Sequence, residues 1–167
     1  MSVESSNLFF HNMRVVVRYT EEVATPFKET FFHRVAEETL KRCASQVQAL
    51  QEKEEVSLNV IAVSSEKIKE LNKTYRAKDA VTDILSFGEY TDIKDFENDT
   101  EEAVFLGELF FCQDFIAEAA KEDEVTGEHE MIYVFSHGVL HLLGYDHSPE
   151  MFALQDAVTE QCMIEKK

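Results

Sequence analysis

Three of the six histidines in this 167-residue chain fall within eleven positions, in the segment HGVLHLLGYDH at 137–147. His137 and His141 are four apart, so on a helix their rings share one face and reach one point. Gly144 stands where the chain can leave that helix through a left-handed turn. His147 can then approach the same point from the other side. Three imidazoles converging with a fourth position left open describe a catalytic metal site, because structural zinc sites take all four ligands from the protein. One Zn2+ ion is the expectation for such ligands, with Ni2+ or another transition metal such as copper or iron as alternatives.

The motif has the H-x-x-x-H-x-x-G-x-x-H spacing of metzincin proteases, which carry Glu directly after the first His as general base. Here that position is Gly138, which weighs against a peptidase of that type. Hydrolysis in general stays open. Zinc on three neutral imidazoles keeps its full charge and can lower the pKa of a water to about 7.

These ligands need a helix ending at Gly144, and the apolar positions Ile132, Phe135, Val139, Leu140 and Leu143 predict one over about 127–143. Ser148–Pro149 predicts a fresh start, with Met151, Leu154, Val158 and Cys162 at helical steps through 165. Upstream, MRVVVRY (13–19), VSLNVIAV (56–63), TDILSF (82–87) and VFLGELFFC (104–112) read as strands. Gly107 inside the last suggests a bulge or a close backbone approach. A long helix capped by Thr25, with Pro26 in its first turn, is expected to run from Phe27 through Leu50. Ser64 or Ser65 caps a short helix with Ile68, Leu71 and Tyr75 on one face, and another helix spans 113–121. The polar segment 89–102 reads as a loop. The pattern predicts a single α+β domain over 1–167, with a small mixed sheet of about four strands packed against several helices.

The size and the 44% hydrophobic content are those of a globular chain with a real core. No apolar run reaches the roughly 18–20 residues of a spanning helix, so no membrane is expected. The segment MSVESSNLFFHNMR lacks a basic signal region, so a cytoplasmic chain is expected. Cys43, Cys112 and Cys162 are odd in number and far apart, as expected of reduced buried thiols. The formal net charge of −17 argues against a polyanion partner taken as a whole. The charge is uneven, however. Lys67, Lys69, Lys73, Arg76 and Lys78 crowd one stretch, and the acids gather in 89–102, where a solvated face is expected.

Arg76 admits two readings: a guanidinium that grips phosphate, or half of an ion pair with Asp79 or Asp83. Thr82 and Asp83 suit the turn into the next strand. Asp146 either serves its turn or orients a ligand histidine, the turn being favoured. His11, His33 and His129 join no constellation, and Phe105, Phe110 and Phe111 are expected in the core.

Three blocks together resemble the YbeY family of metal-dependent endoribonucleases: LNKTYRAKDAVTDILSF (71–87), LGELFFC (106–112) and HGVLHLLGYDH (137–147). The resemblance covers roughly 56–165. Gly88 stands where the family usually has Pro, and Glu108 where it usually has Asp. It implies a four-stranded mixed sheet with a zincin-like metal helix, and His137, His141 and His147 as metal ligands. It also implies that Arg76 acts in catalysis or RNA handling. The implied function is a single-strand-specific endoribonuclease acting in 16S rRNA maturation and ribosome quality control, with single-stranded rRNA and the small ribosomal subunit as partners. The rivals are a non-enzymatic ribosome-assembly factor with a structural metal, and a metal-dependent hydrolase of another substrate such as peptide.

Overall fold

The computed structural model of the protein describes residues 13–165; all but the last two residues of the N-terminal segment read for a signal, His11 among them, lie outside these. Four strands, β1 (Arg14–Glu21), β2 (Glu55–Ala62), β3 (Ile84–Gly88) and β4 (Ala103–Phe111), form one mixed sheet in the order β1-β2-β4-β3. β1, β2 and β4 run parallel, and β3 closes the edge antiparallel to β4. Parallel neighbours cannot be joined by a tight turn. α1 (Glu29–Ala44) and α2 (Gln48–Gln51) therefore cross from β1 to β2, and α3 (Ser65–Arg76) leaves β2 before β3. α4 (Ile93–Glu97) lies between β3 and β4, and α5 (Gln113–Glu122), α6 (Gly127–Leu142) and α7 (Pro149–Glu165) complete the chain. The described residues thus make the expected α+β domain, with four strands and seven helices. None of these helices is long and apolar enough to cross a membrane.

The sheet has two unequal faces. Val56, Leu58, Val60 and Ala62 of β2 point into the main core with Phe32, Leu40, Phe135, Val139 and Val158 of α1, α6 and α7. Ile61 points the other way and joins Ile68 and Leu85 in a smaller cluster under α3. β4 changes phase midway: Val104 and Leu106 face the main core, and so do Leu109 and Phe111. The cause is a bulge, since Ser57 pairs with Phe105 but Asn59 with Glu108, which leaves one extra residue in β4. Gly107 sits in it at φ +136°, where a Cβ would come within 2.2 Å of the Phe87 carbonyl oxygen. Both expectations for this glycine, bulge and close approach, hold.

Several boundaries differ from expectation. The first long helix begins at Glu29, because Thr25 spends its hydroxyl on the Phe27 amide and on Tyr19 and organises the preceding turn. It stops at Ala44, where the Cys43 carbonyl accepts from the amides of Gln46 and Val47 and Gln51 Nε2 donates to the Ala44 carbonyl. On α3, Ile68 is buried, while Tyr75, on the same face, rests edge-on against Phe87 of β3 and stays 60% exposed. The acidic segment is not a plain solvated loop. Asp92 caps α4 by accepting the Asp95 amide, the Asp95 carboxylate in turn accepts the Thr91 amide, and Phe96 is fully buried. Lys53, itself buried, donates to the carbonyls of Asp99 and Glu101 at 2.6 and 2.7 Å.

Candidate metal centre and its cleft

α6 begins where Thr126 accepts the His129 amide and packs flat on the sheet through Gly138. A Cβ there would stand 2.9 Å from Leu109 and 3.0 Å from Ile84, so the helix lies as close as glycine allows. A protease-type glutamate would fit at this position only if the Leu109 and Ile84 side chains shifted. The helix ends in a Schellman turn: the Tyr145 amide donates to the Leu140 carbonyl and the Gly144 amide to the His141 carbonyl. Gly144 adopts φ +103°, and a Cβ on it would run into the Asp92 backbone at 2.2 Å. The turn has two effects. It aims the Tyr145 carbonyl at His141 Nδ1, 2.9 Å away, and it delivers His147 beside the helix. Ser148 then caps α7 by accepting the Met151 amide, as its position before Pro149 predicted.

The three predicted histidines come together. The Nε2 atoms of His137 and His141 are 2.9 Å apart, those of His141 and His147 3.1 Å, and those of His137 and His147 3.2 Å. Their tautomers follow from their other contacts. A carbonyl can only accept, so His141 carries its hydrogen on Nδ1. Gln155 Nε2 donates to the Tyr133 carbonyl at 2.9 Å, which turns its Oε1 toward His137 Nδ1 at 3.3 Å and assigns that hydrogen too. Burial holds both imidazoles below their ordinary range; the hydrogen bond that His137 donates to Gln155 partly opposes this, whereas the neighbouring ring of His137 lowers His141 further. Neutral rings with hydrogen on Nδ1 direct the Nε2 lone pairs of His137 and His141 at one another across 2.9 Å. That contact is repulsive unless a cation lies between them. Zinc–nitrogen bonds of about 2.0–2.1 Å put tetrahedral ligand atoms about 3.3 Å apart. The cluster therefore suits a first-row transition ion, and its all-nitrogen donor set does not suit calcium, which takes oxygen ligands. Among the described residues this is the one group of histidine, cysteine and carboxylate side chains that could hold a metal ion.

Arg76 lines the same cleft of about 340 Å³, with Asn72, Lys78, Asp83, Ser86 and the three histidines. It also lines an adjoining recess of about 360 Å³ with Tyr90, Thr91, His141 and Asp146. α3 ends beside the cleft because Ala77 takes a left-handed conformation, which leaves Arg76 exposed. Its Nη2 donates to the Ser86 carbonyl at 2.6 Å, its Nη1 to the Tyr75 carbonyl at 3.4 Å, and the guanidinium lies 4.8 Å over the Phe87 ring. It forms no ion pair with Asp79 or Asp83. Asp79 faces Lys69 at 3.9 Å, and Asp83 accepts the Ile84 amide and the Thr82 hydroxyl, bracing the turn into β3 as expected. Asp146 orients no histidine by hydrogen bond and acts on His141 only through its charge.

Two features escaped the sequence reading. Gln155 sits on the apolar stripe of α7, where a lone glutamine gives no sign of a function. Phe152, 41% exposed, stacks on the His147 ring at 5.8 Å between centroids. His33 bonds the Val15 carbonyl, His129 heads α6, and neither approaches the cluster. Phe111 is fully buried, as expected, whereas Phe105 and Phe110 are only half-buried, Phe110 against the smaller cluster. All three cysteines are free and buried.

Comparison with known proteins bears directly on this geometry. The family model described as Endoribonuclease YbeY matches residues 18–163. A protein of Thermotoga neapolitana named Endoribonuclease YbeY is 36% identical, the match covering 74% of this chain and 80% of its own. One of the same name from Macrococcus caseolyticus is 41% identical over 63% of this chain and 71% of its own. The solution structure of TM1509 from Thermotoga maritima, 31% identical, superposes with a TM-score of 0.56 over 90% of this chain and 91% of its own.

Proposed function

The chain belongs to the Endoribonuclease YbeY family, and from that premise we propose that it is a zinc-dependent, single-strand-specific endoribonuclease whose metal ligands are His137, His141 and His147. The observation that carries the reading is the convergence of three Nε2 atoms within 3.2 Å of one another in a cleft shared with an exposed arginine. An ion held there supplies a Lewis acid that draws charge from a phosphoryl oxygen.

The protein's own groups do the rest. The Tyr145 carbonyl holds the His141 imidazole in one tautomer, so that its Nε2 lone pair stays available without reorganisation. Arg76 grips the scissile phosphate. A guanidinium has five N–H donors, and here one is committed to Ser86 and one to Tyr75, leaving three for phosphate oxygens. The Phe87 ring beneath keeps the fork flat against the cleft. Lys78 adds positive charge on the same wall. At about 340 Å³ the cleft lies at the small end of ligand sites, and the single-strand preference follows the family resemblance. With a net charge of −17, the chain gains little from nonspecific phosphate neutralisation. Recognition rests on this one local patch. The finer setting follows the family resemblance: 16S rRNA maturation and ribosome quality control in the cytoplasm, with the small ribosomal subunit as partner.

The test is cleavage of an end-labelled single-stranded rRNA fragment by the wild type and by a folded His141→Ala variant, each with chelator and with zinc restored. Cutting by the wild type that chelator abolishes and zinc restores, and that the variant lacks, supports the reading. Equal cutting in all samples, or none in any, contradicts it. The product ends identify the nucleophile, since a cyclic phosphate requires attack by the ribose 2′-hydroxyl.

A further inference from the structure

We propose that Gln155 is a positioning residue for the metal centre: it holds His137 with its hydrogen on Nδ1 and its ring turned so that Nε2 faces the ion. The inference rests on the reading of the three histidines as metal ligands.

Gln155 lies on the buried stripe of α7 between Leu154 and Val158 and is 1% exposed. A buried amide among apolar neighbours is costly unless its hydrogen bonds are made. Here both ends are used, and each has one possible polarity. Its Nε2 donates to the Tyr133 carbonyl at 2.9 Å, so its Oε1 is left to accept from His137 Nδ1 at 3.3 Å. Tyr133 and His137 are one turn apart on α6. The glutamine thus bridges from a second helix to the backbone and to the ring of the same helix. His141 has its orienting acceptor nearby, in the Tyr145 carbonyl of the following turn. His137 has no such carbonyl, and the α7 glutamine takes that part. The tautomer that Gln155 selects is the one that frees Nε2 for a metal; the other would put a hydrogen where the ion belongs.

Two variants separate this role from packing. Gln155→Met keeps the volume and removes both polar contacts. Gln155→Glu keeps an acceptor for His137 Nδ1; its second oxygen replaces the donor to the Tyr133 carbonyl and must either carry a proton or turn away from that carbonyl, which still receives the Ser136 hydroxyl at 3.1 Å. Zinc affinity of the full chain, measured by competition with a chromophoric chelator, is expected to fall about 10–100-fold in Gln155→Met and to stay within about 3-fold of wild type in Gln155→Glu. Long-range proton–nitrogen spectra of the metal-free protein should place the His137 hydrogen on Nδ1 in the wild type and on a mixture of nitrogens in Gln155→Met. Circular dichroism reports whether each variant is folded. The inference is overturned if folded Gln155→Met binds zinc as tightly as wild type, if Gln155→Glu loses as much as Gln155→Met, or if the wild-type hydrogen sits on Nε2. A wild type that takes up no zinc overturns the metal reading itself, and this inference with it. Normal wild-type uptake with no effect of Gln155→Met overturns this inference alone.

Discussion

The two walls of the cleft differ in how they are held. The histidine wall is part of the main core: α6 carries Ile132, Phe135, Val139 and Leu140, all fully buried, and His137 and His141 are half-buried with orienting partners from a turn and a second helix. The arginine wall is thin. α3 buries only Ile68 and Asn72, and Arg76 stays exposed, held by one short hydrogen bond and a ring beneath it. A rigid wall suits an ion, whose ligands must meet within tenths of an ångström. A looser wall suits a phosphate that must enter and leave. Metal affinity should therefore belong to one wall and substrate handling to the other, and substitutions should separate them.

The largest expected effect is that of His141→Ala, which removes the central ligand. Metal binding is lost, and cleavage falls on the order of 10³-fold or more, as loss of several kcal/mol of charge stabilisation requires. A ribonuclease assay alongside metal analysis checks both. Next comes Arg76→Ala, which should cost cleavage about 10²–10³-fold, the range for a preorganised donor to developing charge, and leave metal content unchanged. Arg76→Lys should recover only part of the loss, because an ammonium cannot present a planar fork. Loss of metal from either Arg76 variant would break the proposed separation of the walls. Gly144→Ala sharpens the comparison by straining the histidine wall alone. It should destabilise the protein by more than about 1 kcal/mol in urea titrations, through the positive φ and the Asp92 backbone. It should also weaken metal binding, since the same turn aims Tyr145 at His141.

The smallest effect concerns the core behind the histidine wall. Burial pushes the Cys43 thiol up to about 12 and the Cys162 thiol up to about 11. Ionisation is harder in the folded state, so this contribution to stability is fully present below the ordinary thiol pKa of about 8.5 and is lost as pH rises through the raised values. At pH 8 both groups remain thiols and should resist iodoacetamide until the protein is unfolded. Mass spectrometry showing rapid labelling of Cys43 in folded protein would contradict the packing described here.

What could be read in the sequence follows from the same contrast. The histidine motif is local: its helix, its glycine turn and its third ligand lie within eleven residues, so spacing alone predicts convergence. The strands were legible because β-branched runs and buried parallel pairing coincide, and Gly107 marked its own bulge. The acidic segment was misread because Lys53, 46 residues from Asp99, ties it down, and no local pattern carries that contact. Helical spacing set Tyr75 on one face with Ile68, but it cannot tell how far the sheet covers that face, and Tyr75 stays exposed at its end. Gln155 was invisible for a related reason. Its partners Tyr133 and His137 are 22 and 18 residues away on another helix, and only their crossing gives it a task.

The most direct test of the central claim is native mass spectrometry with elemental analysis of wild type, His141→Ala and Arg76→Ala, purified without added metal and then titrated with zinc. One ion per chain in the wild type and in Arg76→Ala, and none in folded His141→Ala, is the predicted result. Equal metal content in all three proteins, or none in the titrated wild type, would contradict it.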